Sequence, residues 1–136
     1  KKNCSKKMIN IHNKKKCSVM ASMRVKKSTV NRWGVYSISK KVDNNNFYIK
    51  DVIEKPEVNQ APSNFAIIGR YILPKKIFKK LKNQKKGKGN EIHITDSIKR
   101  LIYEGEKFVG HNFKGKYLDC GTMKGYINSS LKISKS

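Results

Sequence analysis

Acidic residues are scarce in this 136-residue chain, where nine aspartates and glutamates accompany 32 lysines and arginines and the formal net charge is +23. Arginine is scarce too, since only four of the 32 basic residues are arginine. Base-edge and bidentate phosphate recognition favours arginine. The lysines lie along the whole chain among many Asn and Ile residues, which A/T-rich codons encode. Genome composition is therefore one explanation of the charge, and a selected polyanion-binding surface is the other.

Cysteine pairs, long apolar runs and an initiator methionine are also missing. The three cysteines form no Cys-x-x-Cys pair, which argues against a disulfide framework or a zinc site and favours a reducing, cytoplasmic location. No apolar run is long enough to span a membrane, so no membrane partner is predicted. The opening KKNCSKK has neither an initiator methionine nor a signal peptide, from which we expect a fragment.

The remaining pattern predicts one α/β domain of alternating strands and helices. Apolar runs predict strands at 17–25, 34–42 and 47–55, and the NNN between the last two predicts a β-hairpin. The most apolar run, FAIIGRYIL (65–73), is typical of a central strand buried on both faces. One or two further strands are predicted within 107–119.

Four helices are predicted between and around these strands. Residues 1–16 form a weak basic helix, and TMKGYINSSLKI forms a closing helix with apolar side chains on one face. Pro74 at a first helical position opens a third, with Ile77, Phe78 and Leu81 on its inner face. Thr95 is predicted to be the N-cap of the fourth helix, DSIKRLIYEG.

The stretch DVIEKP places a carboxylate at the end of an apolar strand. Glu54 can accept hydrogen bonds from sugar hydroxyls, and Lys55 can meet a phosphate. Adjacent strand residues point to opposite faces, so both can serve one ligand only if the strand ends there, as Pro56 suggests. The alternative is an exposed ion pair on an edge strand.

Two glycine-containing turns are further candidates. Gly69 interrupts an apolar strand, which indicates either a bulge or a close backbone approach by a ligand. Asp119 in YLDCGT is predicted to follow a strand directly, at the carboxyl edge of an open α/β sheet, where ligands bind and where a carboxylate suits Mg²⁺. The alternative is that Asp119 or Thr122 caps the next helix.

The order of these motifs carries more information than any one of them. WGV, VIEKP, APSNFAIIGRYIL, GKGNEIHITDSIKRLI and F-x-GKYLDCGTMKGYI, in that order, resemble the C-terminal half of bacterial UTP–glucose-1-phosphate uridylyltransferase, also called UDP-glucose pyrophosphorylase. The match runs from about residue 8 to about residue 133. It implies the C-terminal part of a Rossmann-like nucleotidyltransferase, with a mixed sheet flanked by helices and a β-hairpin.

The resemblance also implies a reaction and its residues. UTP and glucose 1-phosphate would give UDP-glucose and pyrophosphate with Mg²⁺, through in-line attack of a sugar-phosphate oxygen on the α-phosphorus. Catalytic roles would fall to Lys55 and Asp119, with Lys55 binding the sugar-linked phosphate and Asp119 holding the metal. Glucose would be bound by Gly34 through its backbone, by Glu54 at its hydroxyls, and by a pocket wall at Ile67 and Gly69.

The resemblance leaves out the family's N-terminal half, which carries the nucleotide-binding loop and a second metal-binding aspartate. We therefore expect residues 1–136 to be the sugar- and metal-binding half, inactive or nearly so alone and a homo-oligomer when full length. Two alternatives stay open, namely a basic nucleic-acid-binding module and a non-catalytic remnant of the same fold. No specific nucleic-acid partner is predicted, because no basic motif is interleaved with aromatic residues.

Overall fold

The computed structural model describes residues 3–115 and 117–135, in which strands and helices alternate as predicted. Among the described residues, no helix has the length and apolar character needed to cross a membrane. Two 3₁₀ segments, Lys27–Arg32 and Lys88–Asn90, lie in the connections. The main elements are α1 (Cys4–Lys15), β1 (Ser18–Arg24), β2 (Gly34–Lys41), β3 (Asn46–Glu54), β4 (Phe65–Ile72), α2 (Ile77–Lys82), α3 (Ile94–Tyr103), β5 (Phe108–Asn112) and α4 (Met123–Ser134).

The strands form one mixed sheet in the order β1-β4-β2-β3-β5, so the predicted α/β class and the β2–β3 hairpin are confirmed. β1 and β5 are parallel, and the other neighbours are antiparallel. Because β5 pairs with both β1 and β3, the sheet closes on itself, and the expected open sheet is wrong. Among the described residues, β2 and β4 are joined through one residue pair, Val35 with Ala66.

Alternate residues of β1 face two different cores, as the twofold periodicity of a strand requires. Val19 and Ala21 pack with Cys4 and Met8 of α1 in the smaller core. Met20 belongs to the larger core, which extends to α2 and α3 and includes Tyr36, Phe47, Ile49, Val52, Phe65, Ile67, Ile77, Ile98, Leu101 and Phe108. Side chains from β2, β3 and β4 therefore pack together in the larger core.

Two predictions about apolar side chains are wrong. β4 is buried only over Phe65–Ile67, while Gly69 and Arg70 are exposed, because residues 68–70 bulge out opposite Ala21 of β1. The helix after Pro74 begins at Ile77, which is buried, while the next residue, Phe78, lies about 100° further round the helix and is 72% exposed.

The closing helix is confirmed as α4, but its apolar side chains do not pack inward. Thr122 is its N-cap and accepts a hydrogen bond from the Gly125 N–H at 3.0 Å. Ser129 is the buried residue of this helix. The large apolar side chains of α4 that are at least half exposed are Met123, Tyr126, Ile127, Leu131 and Ile133.

His111 in β5 is a buried histidine whose ring is only partly hydrogen-bonded. Its Nδ1 donates to Asn46 Oδ1 at 2.8 Å, and its Nε2 has no partner among the described residues. Burial, together with the charge of Lys7, lowers the pKa of His111 below 6.5, although Asp43 opposes this. The folded protein therefore resists protonating a ring that the unfolded chain protonates.

Stability is consequently expected to fall as the pH drops below 6.5. The unfolded state then binds more protons than the folded state, so the free energy of unfolding decreases until the folded-state pKa is reached. Urea unfolding at a series of pH values from about 7 to about 5 measures this slope. His111→Gln should flatten it, and an unchanged slope in that variant would contradict the assignment.

Candidate functional site

A cavity of about 390 Å³ opens where β2, β3 and β4 meet the start of α3. Four of the six residues predicted to form the site line it, and each comes from a strand whose position the larger core fixes. The lining residues are Arg32, Trp33, Gly34, Glu54, Ile67, Gly69, Tyr71, Ile92, His93, Ile94 and Thr95. The structure thus brings Gly34, Glu54, Ile67 and Gly69 together.

Glu54 lies across Gly34, its cross-strand partner in the β2–β3 hairpin. A Cβ atom at position 34 would come within 2.9 Å of Glu54 Oε2 and 3.3 Å of Thr95 Oγ1. Glycine therefore leaves the space that the carboxylate occupies. Thr95 Oγ1 donates a hydrogen bond to Glu54 Oε2 at 2.6 Å, and the Glu54 side chain is 15% exposed.

The predicted N-cap role of Thr95 is wrong, and the reason lies in this contact. The helix begins two residues earlier than predicted, at Ile94, so that His93 is at the N-cap position without a side-chain capping bond. The Thr95 hydroxyl is committed to Glu54 instead. His93 lies on the other side of the carboxylate, with its Nδ1 3.9 Å from Glu54 Oε1.

Gly69 lies in a bulge, which is one of the two alternatives that its position in a strand suggested. It lies in the β4 bulge with a left-handed φ of 69°, and a Cβ atom there would meet nothing within 4 Å. The bulge turns its backbone toward open space beside the cavity. Nearby, burial and then the charge of Glu54 raise the pKa of Tyr71 to about 12, so its phenol stays neutral and can donate a hydrogen bond.

Lys55 follows Glu54 but does not line the cavity. β3 ends at Glu54, as the following proline predicted, and Lys55 has a left-handed φ of 45°. Its N–H donates to the Trp33 carbonyl at 3.0 Å, and its own carbonyl accepts from Lys88. These bonds hold the backbone in a conformation that breaks the alternation of the strand.

Asp119 lies outside the cavity wall and does not directly follow a strand, because β5 ends seven residues earlier at Asn112. Its Oδ1 accepts the Gly121 N–H at 3.0 Å. Its Oδ2 is 3.9 Å from the guanidinium of Arg32, which does line the cavity. Asp119 therefore stabilises this turn and also lies near the cavity.

No three His, Cys, Asp or Glu side chains within residues 3–115 and 117–135 are grouped so that they could hold a metal ion. A magnesium ion in a nucleotide enzyme is usually held by one or two carboxylates together with phosphate oxygens and water. Asp119, with a side chain 40% exposed, can supply one such carboxylate. A metal at this place needs its other oxygen ligands from outside the described residues.

Sequence reasoning missed five polar or aromatic residues that line the cavity: Arg32, Trp33, Tyr71, His93 and Thr95. The last two lie in the stretch GNEIHITDSI, which the resemblance marked as specific. Their proximity to Glu54 depends on how α3 packs on β3, which no local pattern reveals.

Comparisons with known proteins identify the family of this chain. Residues 2–136 match the family model described as "Nucleotidyl transferase". A UTP–glucose-1-phosphate uridylyltransferase of Pseudomonas aeruginosa is 38% identical over 125 residues, covering 92% of this chain and 44% of that protein. One from Staphylococcus haemolyticus is 34% identical over 129 residues, covering 95% of this chain and 44% of that protein.

Solved structures give the same result. A UDP-glucose pyrophosphorylase in complex with UDP-glucose has a TM-score of 0.87 and 39% identity, covering 96% of this chain and 48% of that one. A UTP-bound enzyme from Acinetobacter baumannii has a TM-score of 0.77 and 28% identity, covering 93% of this chain and 42% of that one. The predicted resemblance is confirmed, and the chain spans about half the length of the relatives it matches.

Proposed function

This chain belongs to the nucleotidyl transferase family, and from that premise we propose that it is the sugar- and metal-binding half of a UTP–glucose-1-phosphate uridylyltransferase. The observation that carries the proposal is the meeting of Gly34, Glu54, Ile67 and Gly69, from three separate strands, on one cavity. The full reaction would join UTP and glucose 1-phosphate to give UDP-glucose and pyrophosphate.

Glu54 is the residue that binds the glucose in this proposal. One of its oxygens is held by Thr95, and the other can accept a sugar hydroxyl in the cavity. Hydrogen bonds to a charged acceptor are stronger than those between neutral groups. The backbone at Gly34 and Gly69 and the side chain of Ile67 then surround the ring, because a glycine lets a ligand approach the chain closely.

Lys55 supplies positive charge for the phosphate on the sugar. Its left-handed backbone, fixed by the bond to the Trp33 carbonyl, interrupts the strand alternation that would otherwise turn Glu54 and Lys55 to opposite faces. The long lysine side chain can therefore reach toward the ligand that Glu54 holds. In a phosphoryl-transfer reaction, this positioning and charge neutralisation account for most of catalysis.

Asp119 contributes one carboxylate oxygen to Mg²⁺ in this proposal. The bound ion would neutralise negative charge on the phosphates. The turn bond from Gly121 holds Asp119 Oδ1, while Oδ2 lies near the Arg32 guanidinium without a hydrogen bond to it. Because Arg32 lines the cavity, the Asp119 carboxylate lies close to it.

The other half of the enzyme would complete a Rossmann-like domain and bring the nucleotide-binding loop. Two observations support an incomplete domain: the relatives are about twice as long, and the apolar side of α4 is exposed. We further propose that the complete protein is a cytoplasmic homo-oligomer. It would have no specific nucleic-acid or membrane partner.

Formation of UDP-glucose tests the proposal. The comparison is between this chain and an extended protein, in which the chain replaces the matching segment of the Pseudomonas aeruginosa relative. We expect Mg²⁺-dependent turnover by the extended protein and little or none by the 136 residues alone. Robust turnover by the chain alone would contradict the half-enzyme proposal, and an inactive but folded extended protein would contradict the activity.

A further inference from the structure

We infer that Thr95 is a positioning residue for the sugar site, because its hydroxyl fixes one oxygen of Glu54 and leaves the other available to a ligand. The inference rests on the proposed function, since it concerns the residue proposed to bind glucose. It assigns a role to a side chain that the sequence indicated only as a helix cap. The two carboxylate oxygens of Glu54 have different neighbours.

The first oxygen, Glu54 Oε2, is hydrogen-bonded within the protein. Thr95 donates to it at 2.6 Å, and it lies where a Cβ atom on Gly34 would be only 2.9 Å away. Thr95 is itself 4% exposed, so neither partner can easily exchange the bond for one with water. This oxygen is part of the cavity's wall and is not a free acceptor.

The second oxygen, Glu54 Oε1, has no donor among the described residues. Its polar neighbour is His93 Nδ1, at 3.9 Å. His93 Nε2 lies 2.7 Å from the Lys88 carbonyl, which can only accept, so Nε2 carries the proton. At 3.9 Å, Nδ1 is too far from Oε1 for a hydrogen bond. A ligand hydroxyl is the donor that this oxygen lacks.

The packing of α3 on β3 fixes the Thr95 hydroxyl in place. One helical turn after Thr95, Lys99 Nζ forms a salt bridge with Asp51 Oδ2 at 3.2 Å. Ile98 between them is fully buried in the larger core. Among the described residues, α3 therefore contacts β3 through Thr95 and Lys99, and of these two polar contacts the one through Thr95 reaches a residue that lines the cavity. Variants of the two contacts can therefore distinguish a role of Thr95 in positioning Glu54 from a general role in holding α3 against β3.

The test measures the affinity of the extended protein for UDP-glucose by calorimetry, alongside its melting temperature. Thr95→Val removes the hydroxyl at nearly constant shape and should weaken binding about tenfold. Thr95→Ser keeps the hydroxyl and should restore affinity to within about twofold of the original. Lys99→Met removes the other α3–β3 contact, and it should lower the melting temperature without changing the affinity.

A double-mutant cycle with Glu54→Ala shows whether Thr95 acts through Glu54. In the Glu54→Ala background, Thr95→Val should change affinity by less than about twofold. If Glu54→Ala weakens binding but Thr95→Val does not, the inference is wrong and the proposed function stands. If Thr95→Ser fails to restore affinity, or if Lys99→Met weakens binding equally, the role of Thr95 is only structural. If Glu54→Ala leaves binding unchanged, the proposed function fails, and the inference fails with it.

Discussion

Replacing Glu54 by alanine should raise the KM of the extended protein for glucose 1-phosphate by about 10- to 100-fold, because hydrogen bonds to a charged group contribute about 1.5–3 kcal/mol. The KM for UTP should change little, since Glu54 is proposed to contact only the sugar. Alanine also removes the acceptor of the Thr95 hydroxyl, so part of the loss reflects a less ordered cavity wall. Steady-state kinetics with each substrate varied in turn measure the effect.

The matched control is Glu57→Ala, which removes the same charge three residues along the chain. Glu57 is exposed and does not line the cavity, so its loss should leave both KM values within about twofold of the original. Because the chain carries a net charge of +23, removing any carboxylate changes the general electrostatic attraction of phosphates. Losing a negative charge strengthens that attraction and would lower KM, so an equal rise in KM for both substitutions would contradict a specific sugar site at Glu54.

Asp119→Asn should reduce Mg²⁺-dependent turnover of the extended protein by at least about 100-fold. Asparagine keeps an oxygen that can accept the Gly121 N–H, so the turn before α4 should persist while the negative charge is lost. A second readout is the affinity of the extended protein for Mg²⁺ with UDP-glucose bound, measured by calorimetry. We expect the affinity to fall together with the turnover.

Asp43→Asn is the corresponding control, because Asp43 also accepts backbone N–H groups in a turn. It lies at the far end of the β2–β3 hairpin from the paired Gly34 and Glu54. Its substitution should leave turnover and Mg²⁺ affinity unchanged. Full activity of the Asp119→Asn protein would contradict the proposed metal-binding role, and Asp119 would then act only in the turn before α4.

Features with a local cause could be predicted from the sequence. The β2–β3 hairpin forms because Asp43 accepts the N–H groups of Asn45 and Asn46, which is ordinary turn chemistry. Strand β1 has one side for each core, and Thr122 caps α4 as its sequence suggests. These features depend on residues a few positions apart.

Features that depend on distant partners could not be predicted in the same way. Thr95 has the chemistry of an N-cap, but its hydroxyl bonds to Glu54, 41 residues earlier in the chain. Gly69 indicated a bulge as one alternative, but the apolar run of β4 did not indicate that Gly69 and Arg70 would be exposed. The motif order suggested the site residues together, but not their geometry. The roles of Arg32 and His93 as lining residues appear only once the elements are packed.

Packing among the described residues does not explain why the apolar side chains of α4 are exposed. The apolar positions of a helix in a finished domain normally face its core. Here Met123, Tyr126, Ile127 and Leu131 are at least half exposed, and the relatives are about twice as long as this chain. Both observations are what we expect of one half of a larger domain.

The most direct test of the central claim is a titration of the isotopically labelled chain with UDP-glucose, followed through its backbone amide resonances. A parallel titration with UDP separates the contribution of the sugar from that of the phosphates. We predict that UDP-glucose shifts the amides of Gly34, Glu54, Lys55 and Gly69 more than UDP does. Equal shifts with both ligands, scattered over lysine-rich surfaces such as Lys79 and Lys80, would contradict the claim and favour non-specific polyanion binding.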